Sequence, residues 1–402
     1  MGRVRRIGLR LSLMVNAISA LVSRTVTVAG LLAATLLPAA SARASAPQPP
    51  APLPPPRPAW TSPSASPSPS PSAPDAGQEG GPAALPRTVS AWLPYWDQEG
   101  AYQDALSHSA QLDTVSPFWY EAISAGRIDG FPGAGERRII DGLHGAGAKV
   151  VPTVMETMAS GTLAGILTSP AQRAEHVDTL MRTAVARDYD GLDLDYESIA
   201  GTGDATYEAV RDGFTALATE LCGRLHTLGK ECVMTVFPKT ATTGRIWDYA
   251  ALGRVADRIR IMGYNLHWSS GTPGPIADTA WYEDILTRAV ALVPAAKLEM
   301  GLPAYGWDWP ADPTSTAATQ HVTWKEAEAL RVKEGVPYRF DTVSGTPWFT
   351  YNDGTEQREV WYQDARGVAT HLPVLRRHGV TNTVLWALNF EDPGVWPVLA
   401  GG

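Results

Sequence analysis

Residues 1–46 of this 402-residue chain contain no Asp or Glu, and the whole chain contains only two cysteines. Two cysteines cannot build a zinc centre alone, and no His pair stands at ligand spacing beside them, so no metal is expected. Cys222 and Cys232 stand one near the end of a predicted helix and the other at the opening of a strand. In an oxidising compartment they can close a small disulfide loop; the alternative is two buried free thiols. No glycine-rich phosphate loop follows the first predicted strand, which argues against a dinucleotide-binding sheet, and no Gly-x-Ser-x-Gly elbow supplies a serine nucleophile. Long apolar runs are missing too. The run over 26–37 ends at Pro38 and is too short to span a bilayer.

The acid-free start is instead basic, then apolar, then rich in small residues (Ala40-Ser41-Ala42, Ala44-Ser45-Ala46), the order of a secretory signal. Residues 1–46 are therefore read as a signal peptide, with Met14 as an alternative start, and a secreted or envelope-associated protein is expected. Removing that segment takes away six Arg and no acids, so the formal net charge moves from -8 to -14. Such an acidic chain is a poor holder of nucleic acid or anionic lipid, and it leaves a neutral glycan open as partner. Residues 47–87 carry 15 of the 33 Pro, mixed with Ser and Ala, and read as an extended tether with too little to bury. The folded part is 88–402. No stable membrane span is expected after signal cleavage, and a monomer is expected.

Short apolar, β-branched runs alternate with helical patterns from 89–95 through 112–119, 149–155, 189–196, 231–237, 258–264 and 297–304 to 380–389. Eight such runs are the number that closes a parallel ring, so the fold class is α/β, a (β/α)8 TIM barrel. Helices are expected over 135–145, 169–187, 205–228, 246–255, 281–292 and 370–378. The interval between strands 7 and 8 exceeds one crossover helix. It contains a helical pattern at 323–333 and short strands near 338–340, 347–351 and 359–362, and is read as a small α+β insertion at about 310–370 that walls one side of a cleft.

The sharpest local signal is Asp190-Gly191-Leu192-Asp193-Leu194-Asp195-Tyr196-Glu197. Side chains alternate along a strand, so Asp193, Asp195 and Glu197 share one face, about 6 to 7 Å apart at the backbone. Three carboxylates on one face of a buried strand repel one another and resist desolvation, so they must be protonated, paired or used. A bound cation or a solvated strand end is the bland reading. Acid–base chemistry fits better, because glycosidic cleavage needs a carboxylic acid that keeps its proton near neutral pH, and burial beside another negative charge provides one. Glu197, outermost on the strand, is the expected donor, with Asp195 sharing its proton and Asp193 tuning Asp195 from beneath.

Residues 190–197 match every fixed position of Asp-Gly-x-Asp-x-Asp-x-Glu, and on them the chain resembles glycoside hydrolase family 18, the chitinase-like family, over about 88–402. Trp361–Arg366, Trp386–Pro393 and Gly263–Trp268 look most like the branch found in spore-germination and cell-wall-associated members. The resemblance implies Glu197 as general acid and later base, and Asp195 as the residue that orients the substrate's N-acetyl group. The carbonyl of that group attacks the anomeric carbon, giving net retention. It further implies that Tyr264 hydrogen-bonds the acetamido group and that Trp386 floors the subsite before the scissile bond. No cofactor is implied. Asn265 stands where Asp is common in the family, bringing hydrogen bonds without charge.

Thirteen of the 14 Trp follow residue 88, and aromatic rings suit flat sugar faces. Trp92, Trp96, Trp119, Trp268, Trp307, Trp309 and Trp386 are candidate platforms, of which three to five are expected to touch sugar, since large aromatics also bury for structural reasons. The substrate-binding set is read as Tyr95, Trp96, Trp119, Asn265, His267 and Trp386. Glu156 is read equally as a cleft or a surface acid, and Glu391-Asp392-Pro393 as a capping turn. The expected partner is an N-acetylated polysaccharide or oligosaccharide, with peptidoglycan, chitin and N-glycan cores all open. The competing function is a non-hydrolytic sugar-binding protein on the same barrel.

Overall fold

The computed structural model describes residues 87–159 and 161–401. The signal-peptide reading of 1–46 and, Arg87 apart, the tether reading of 47–87 lie outside the described residues. Eight parallel strands form a closed ring: β1 (Val89–Pro94), β2 (Thr114–Ser124), β3 (Lys149–Val150 continuing at Thr153–Glu156), β4 (Gly191–Asp195), β5 (Glu231–Val236), β6 (Arg258–Ile261), β7 (Leu298–Pro303) and β8 (Asn382–Trp386). β1 pairs with β2 on one side (Ser90 opposite Thr114) and with β8 on the other (Val89 opposite Thr383), which shuts the barrel. Every residue of β1, β4 and β7 is buried. Burial on both faces is why β1 and β7 read as largely apolar runs, whereas β4 alternates Leu with the inward Asp193 and Asp195.

The crossover helices follow their start signals. Ser169 accepts from the Gln172 amide with Pro170 at the first position of Pro170–Val185, and Asp248 and Asp278 cap Tyr249–Val255 and Thr279–Val290 in the same way. The helix Gln98–Ser107 was not foreseen. It buries only Ala101, Tyr102 and Ala105, too small an apolar stripe to announce itself in sequence. Thr162–Thr168 was likewise missed. Cys222, in the helix Tyr207–Thr227, and Cys232, in β5, are joined as a disulfide with Cα atoms 5.1 Å apart.

Between β7 and β8 the chain builds a five-stranded antiparallel sheet, in the order Gln320–Thr323, Tyr305–Pro310, Gln357–Trp361, Thr346–Asn352, Arg339–Asp341. One face is covered by the helix Trp324–Lys333, which opens on a capping box between Thr323 and Glu326. Ala327 packs there with Phe349, Tyr351, Val360 and Tyr362 in a small core of their own. The sheet begins at Tyr305 rather than near 310. Its first strand follows β7 after Ala304 alone, so the two merge into one apolar stretch in the sequence.

Candidate active site

β4 turns Asp193 and Asp195 into the barrel, while Leu192, Leu194 and Tyr196 pack outward; the Tyr196 hydroxyl meets His176 Nε2 at 2.6 Å. Asp193 is fully buried and fully used. It accepts from Trp92 Nε1 (3.0 Å), Thr153 Oγ1 (2.7 Å), Thr235 Oγ1 (2.7 Å) and Arg260 Nη1 (3.1 Å). Arg260, on β6, also binds Glu299 of β7 and gives Ser116 Oγ a 2.6 Å bond; Glu299 in turn accepts from Ser90 (2.6 Å) and Arg258 (3.3 Å). The inner layer of this barrel is thus an ionic and hydrogen-bonded plug, with Arg260 and Glu299 both at 0% exposure.

One step toward the mouth the electrostatics reverse. Asp195 is buried, and its Oδ1 has no hydrogen-bond partner among the described residues. Burial, then the charges of Glu197, Asp193 and Glu156, holds its carboxyl well above the usual carboxylate range. Glu197 follows the end of β4 and is only half-buried. Burial first and the Glu156 carboxylate second push its pKa up to about 7. Below that pH it carries a proton at the barrel mouth, where it can be given to a substrate oxygen.

Glu156 was legible only as an acid of uncertain place. It is the last residue of β3, buried, and its Oε1 accepts a 2.7 Å bond from the amide of Ser198, the residue next to Glu197. It therefore both anchors the turn that carries Glu197 and supplies the negative charge that favours Glu197's proton. Tyr264, half-buried after β6, faces Asp195 and Glu197; burial and the Asp195 charge push its hydroxyl well up, so it stays protonated as a donor. Asn265 has φ of 64°, a left-handed backbone that Asn adopts more readily than most residues. Its Oδ1 accepts from Tyr305 (2.5 Å) and from Trp307 Nε1 (3.3 Å), so it binds the added sheet to the β6 loop.

The aromatic candidates divide. Trp386 is half-buried and meets Trp92 (5.4 Å), Phe118 (5.3 Å) and Trp96 (6.3 Å) ring to ring, and Trp96 and Trp268 are also partly exposed. Trp92 and Trp309 are wholly buried, and Trp307 nearly so. Trp119 is a correction: it is fully buried away from the cleft, donating to Gln98 Oε1 at 2.6 Å and lying near Tyr189. The cause is strand alternation: Ser116 Oγ meets Arg260 inside the barrel, so Phe118, two residues on, shares that face beside Trp386 and Trp119 takes the other. Tyr95 is also buried, stacked on Phe131 at 4.0 Å, with its hydroxyl pushed up to about 12 by burial and Glu121. His267 is taken up by its own loop, its Nδ1 meeting the Thr272 carbonyl at 2.9 Å and its ring lying against Gly274.

A (β/α)8 barrel that gathers an acid row at the C-terminal end of β4, with a carboxyl at the mouth whose burial favours its protonated form, is an arrangement suited to acid-catalysed glycoside cleavage. The chain belongs to the glycosyl hydrolases family 18, which residues 147–391 match. It is 26% identical over 240 residues to the uncharacterized glycosylase YvbX of Bacillus subtilis (strain 168), covering 59% of this chain and 68% of that one. It is 27% identical over 266 residues to the cortical fragment-lytic enzyme of Bacillus anthracis, covering 61% and 58%. The C-terminal domain of a chitinase-like protein from Desulfitobacterium hafniense DCB-2 superposes with a TM-score of 0.70 at 26% identity, over 78% of this chain and 99% of that domain. The chain thus spans little more than half of the cortical enzyme it matches.

Proposed function

We propose that the chain hydrolyses β-1,4 bonds adjacent to N-acetylglucosamine in peptidoglycan or chitin-type glycans, with Glu197 as acid and then base. The observation that carries this reading is the contrast between Glu197, half-exposed and poised near neutrality, and Asp195, buried beside it with its carboxyl pushed well up. A protonated Asp195 is a poor nucleophile, so a direct carboxylate attack on the sugar is disfavoured. The nucleophile is then the substrate's own acetamido carbonyl. Asp195 and the Tyr264 hydroxyl would hold that acetamido group, and Trp386 would floor the sugar bearing it. Attack by the carbonyl breaks the glycosidic bond as Glu197 gives its proton to the leaving oxygen. Glu197, now ionised, takes a proton from the water that opens the cyclic intermediate.

The pH profile follows. Glu197 must be protonated to start the reaction, so kcat/KM is expected to fall as pH rises through about 7. Glu156→Gln keeps an oxygen for the Ser198 amide but removes a charge that favours the Glu197 proton. Its profile should break at lower pH while activity on the acid side persists. An unmoved break would show that Glu156 only holds the turn.

Similarity to a cortical fragment-lytic enzyme favours peptidoglycan as substrate, and an envelope or external location is proposed with it. No helix among the described residues is long and apolar enough to cross a membrane. The test is mass spectrometry of products after incubation with peptidoglycan glycan strands and, separately, with chitin oligosaccharides. N-Acetylglucosamine at new reducing ends of peptidoglycan is the expected result, and cleavage of chitin alone would reassign the substrate. Binding to both without turnover would favour the non-hydrolytic alternative.

A further inference from the structure

Away from the catalytic carboxylates, the helix Gln98–Ser107 and the loop after β8 bring Asp104, His108 and Glu391 together, with one potential ligand atom from each within 4.8 Å of the other two. Asp104 and His108 stand one helical turn apart, the spacing that puts two ligands on one helix face. Each carboxylate is oriented by a donor that takes one of its oxygens. Trp396 Nε1 gives a 2.9 Å bond to Glu391 Oε1, and the Asn389 amide gives a 3.0 Å bond to Asp104 Oδ2. Of the other two oxygens, Asp104 Oδ1 lies 3.1 Å from His108 Nδ1, which also meets the Asp104 carbonyl at 3.0 Å, and Glu391 Oε2, in a residue only 7% exposed, is buried facing Asp104 with no other partner among the described residues. His108 is itself held by stacking on Trp396, ring centroids 4.3 Å apart.

We propose that Asp104, His108 and Glu391 form a binding site for one divalent cation that takes mixed nitrogen and oxygen ligands, such as Zn2+ or Mn2+. One imidazole and two carboxylates suit such ions, and outer donors that fix each carboxylate's direction are what a metal site requires around its ligands. The cation would sit between a buried carboxylate and the second one it faces. The partly exposed His108 and Asp104 side chains, 24% and 14% accessible, leave an entry path. Bound there, the ion would clamp the loop that leaves Trp386 onto the helix that follows β1, fixing the cleft floor without touching the substrate.

The full chain, stripped with chelator and dialysed, is titrated with Zn2+, Mn2+ and Ca2+ by equilibrium dialysis and thermal unfolding. One equivalent of Zn2+ or Mn2+ per chain is expected, with Tm rising by about 5 °C at a hundredfold excess over Kd. Glu391→Gln keeps an amide oxygen for Trp396 and should lose both the bound ion and the Tm response. His108→Gln, at a partly exposed position, tests the same point if the first variant folds poorly. Full metal uptake by both variants would place the ion elsewhere and overturn the assignment. So would a parent Tm that ignores metal and chelator yet climbs as pH is lowered, which would give the pair a shared proton instead.

Discussion

Glu197→Gln is expected to fold with an unchanged melting temperature, keep its affinity for N-acetylated oligosaccharides and lose on the order of a thousandfold in kcat. The amide is nearly isosteric with the acid but has no proton to give at a carboxyl's strength. Only the leaving-oxygen step is starved, so the loss belongs in kcat and not in binding. Stopped-time product assays together with calorimetric titration of an oligosaccharide separate the two. Turnover within a few-fold of the parent would sink the assignment of Glu197, and lost binding with lost turnover would signal a distorted mouth instead.

Arg260→Met is the substitution expected to cost most in stability. The methionine fills much of the arginine's volume, yet it leaves Asp193 and Glu299, both at 0% exposure, without the cation that bridges them. Breaking a buried ion pair from one side costs about 3–5 kcal/mol, because a buried charge is left uncompensated. In thermal unfolding this should appear as a Tm lower by roughly 5–10 °C. Pairing the change with Glu299→Gln should recover part of the loss, since one of the two stranded charges is then gone. A single variant that melts within a degree of the parent would show that the three groups are not ionised together.

The eight barrel strands were legible because strands buried on both faces are largely apolar, with only a few inward polar residues, and the acid row because alternation on a strand leaves no choice of face. What stayed hidden depends on register and on distant partners. Trp119 and Phe118 are adjacent and both aromatic, and which one meets Trp386 is decided by the strand's facing, set where Ser116 meets the distant Arg260. Arg258 and Arg260 look alike in sequence, one residue apart in a short strand, yet Arg260 is wholly enclosed through partners on β4 and β7. Glu156 could not be separated from a surface acid, since its importance comes from the Ser198 amide more than 40 positions later. Asn265 was noticed for the charge it lacks, whereas its Oδ1 serves to hold Tyr305 and Trp307.

The Asn265 contact is one of several that fix the root of the added sheet. The added sheet leaves β7 after a single residue, Ala304, whose amide donates to the Trp386 carbonyl at 2.8 Å, and the Trp324 amide reaches the Phe390 carbonyl at 3.0 Å. With Tyr305 hooked to Asn265 as well, the sheet is riveted at its root rather than hung on a hinge. A glycan binding as proposed would meet an added sheet already fixed in place, and little ordering of that sheet would oppose its arrival.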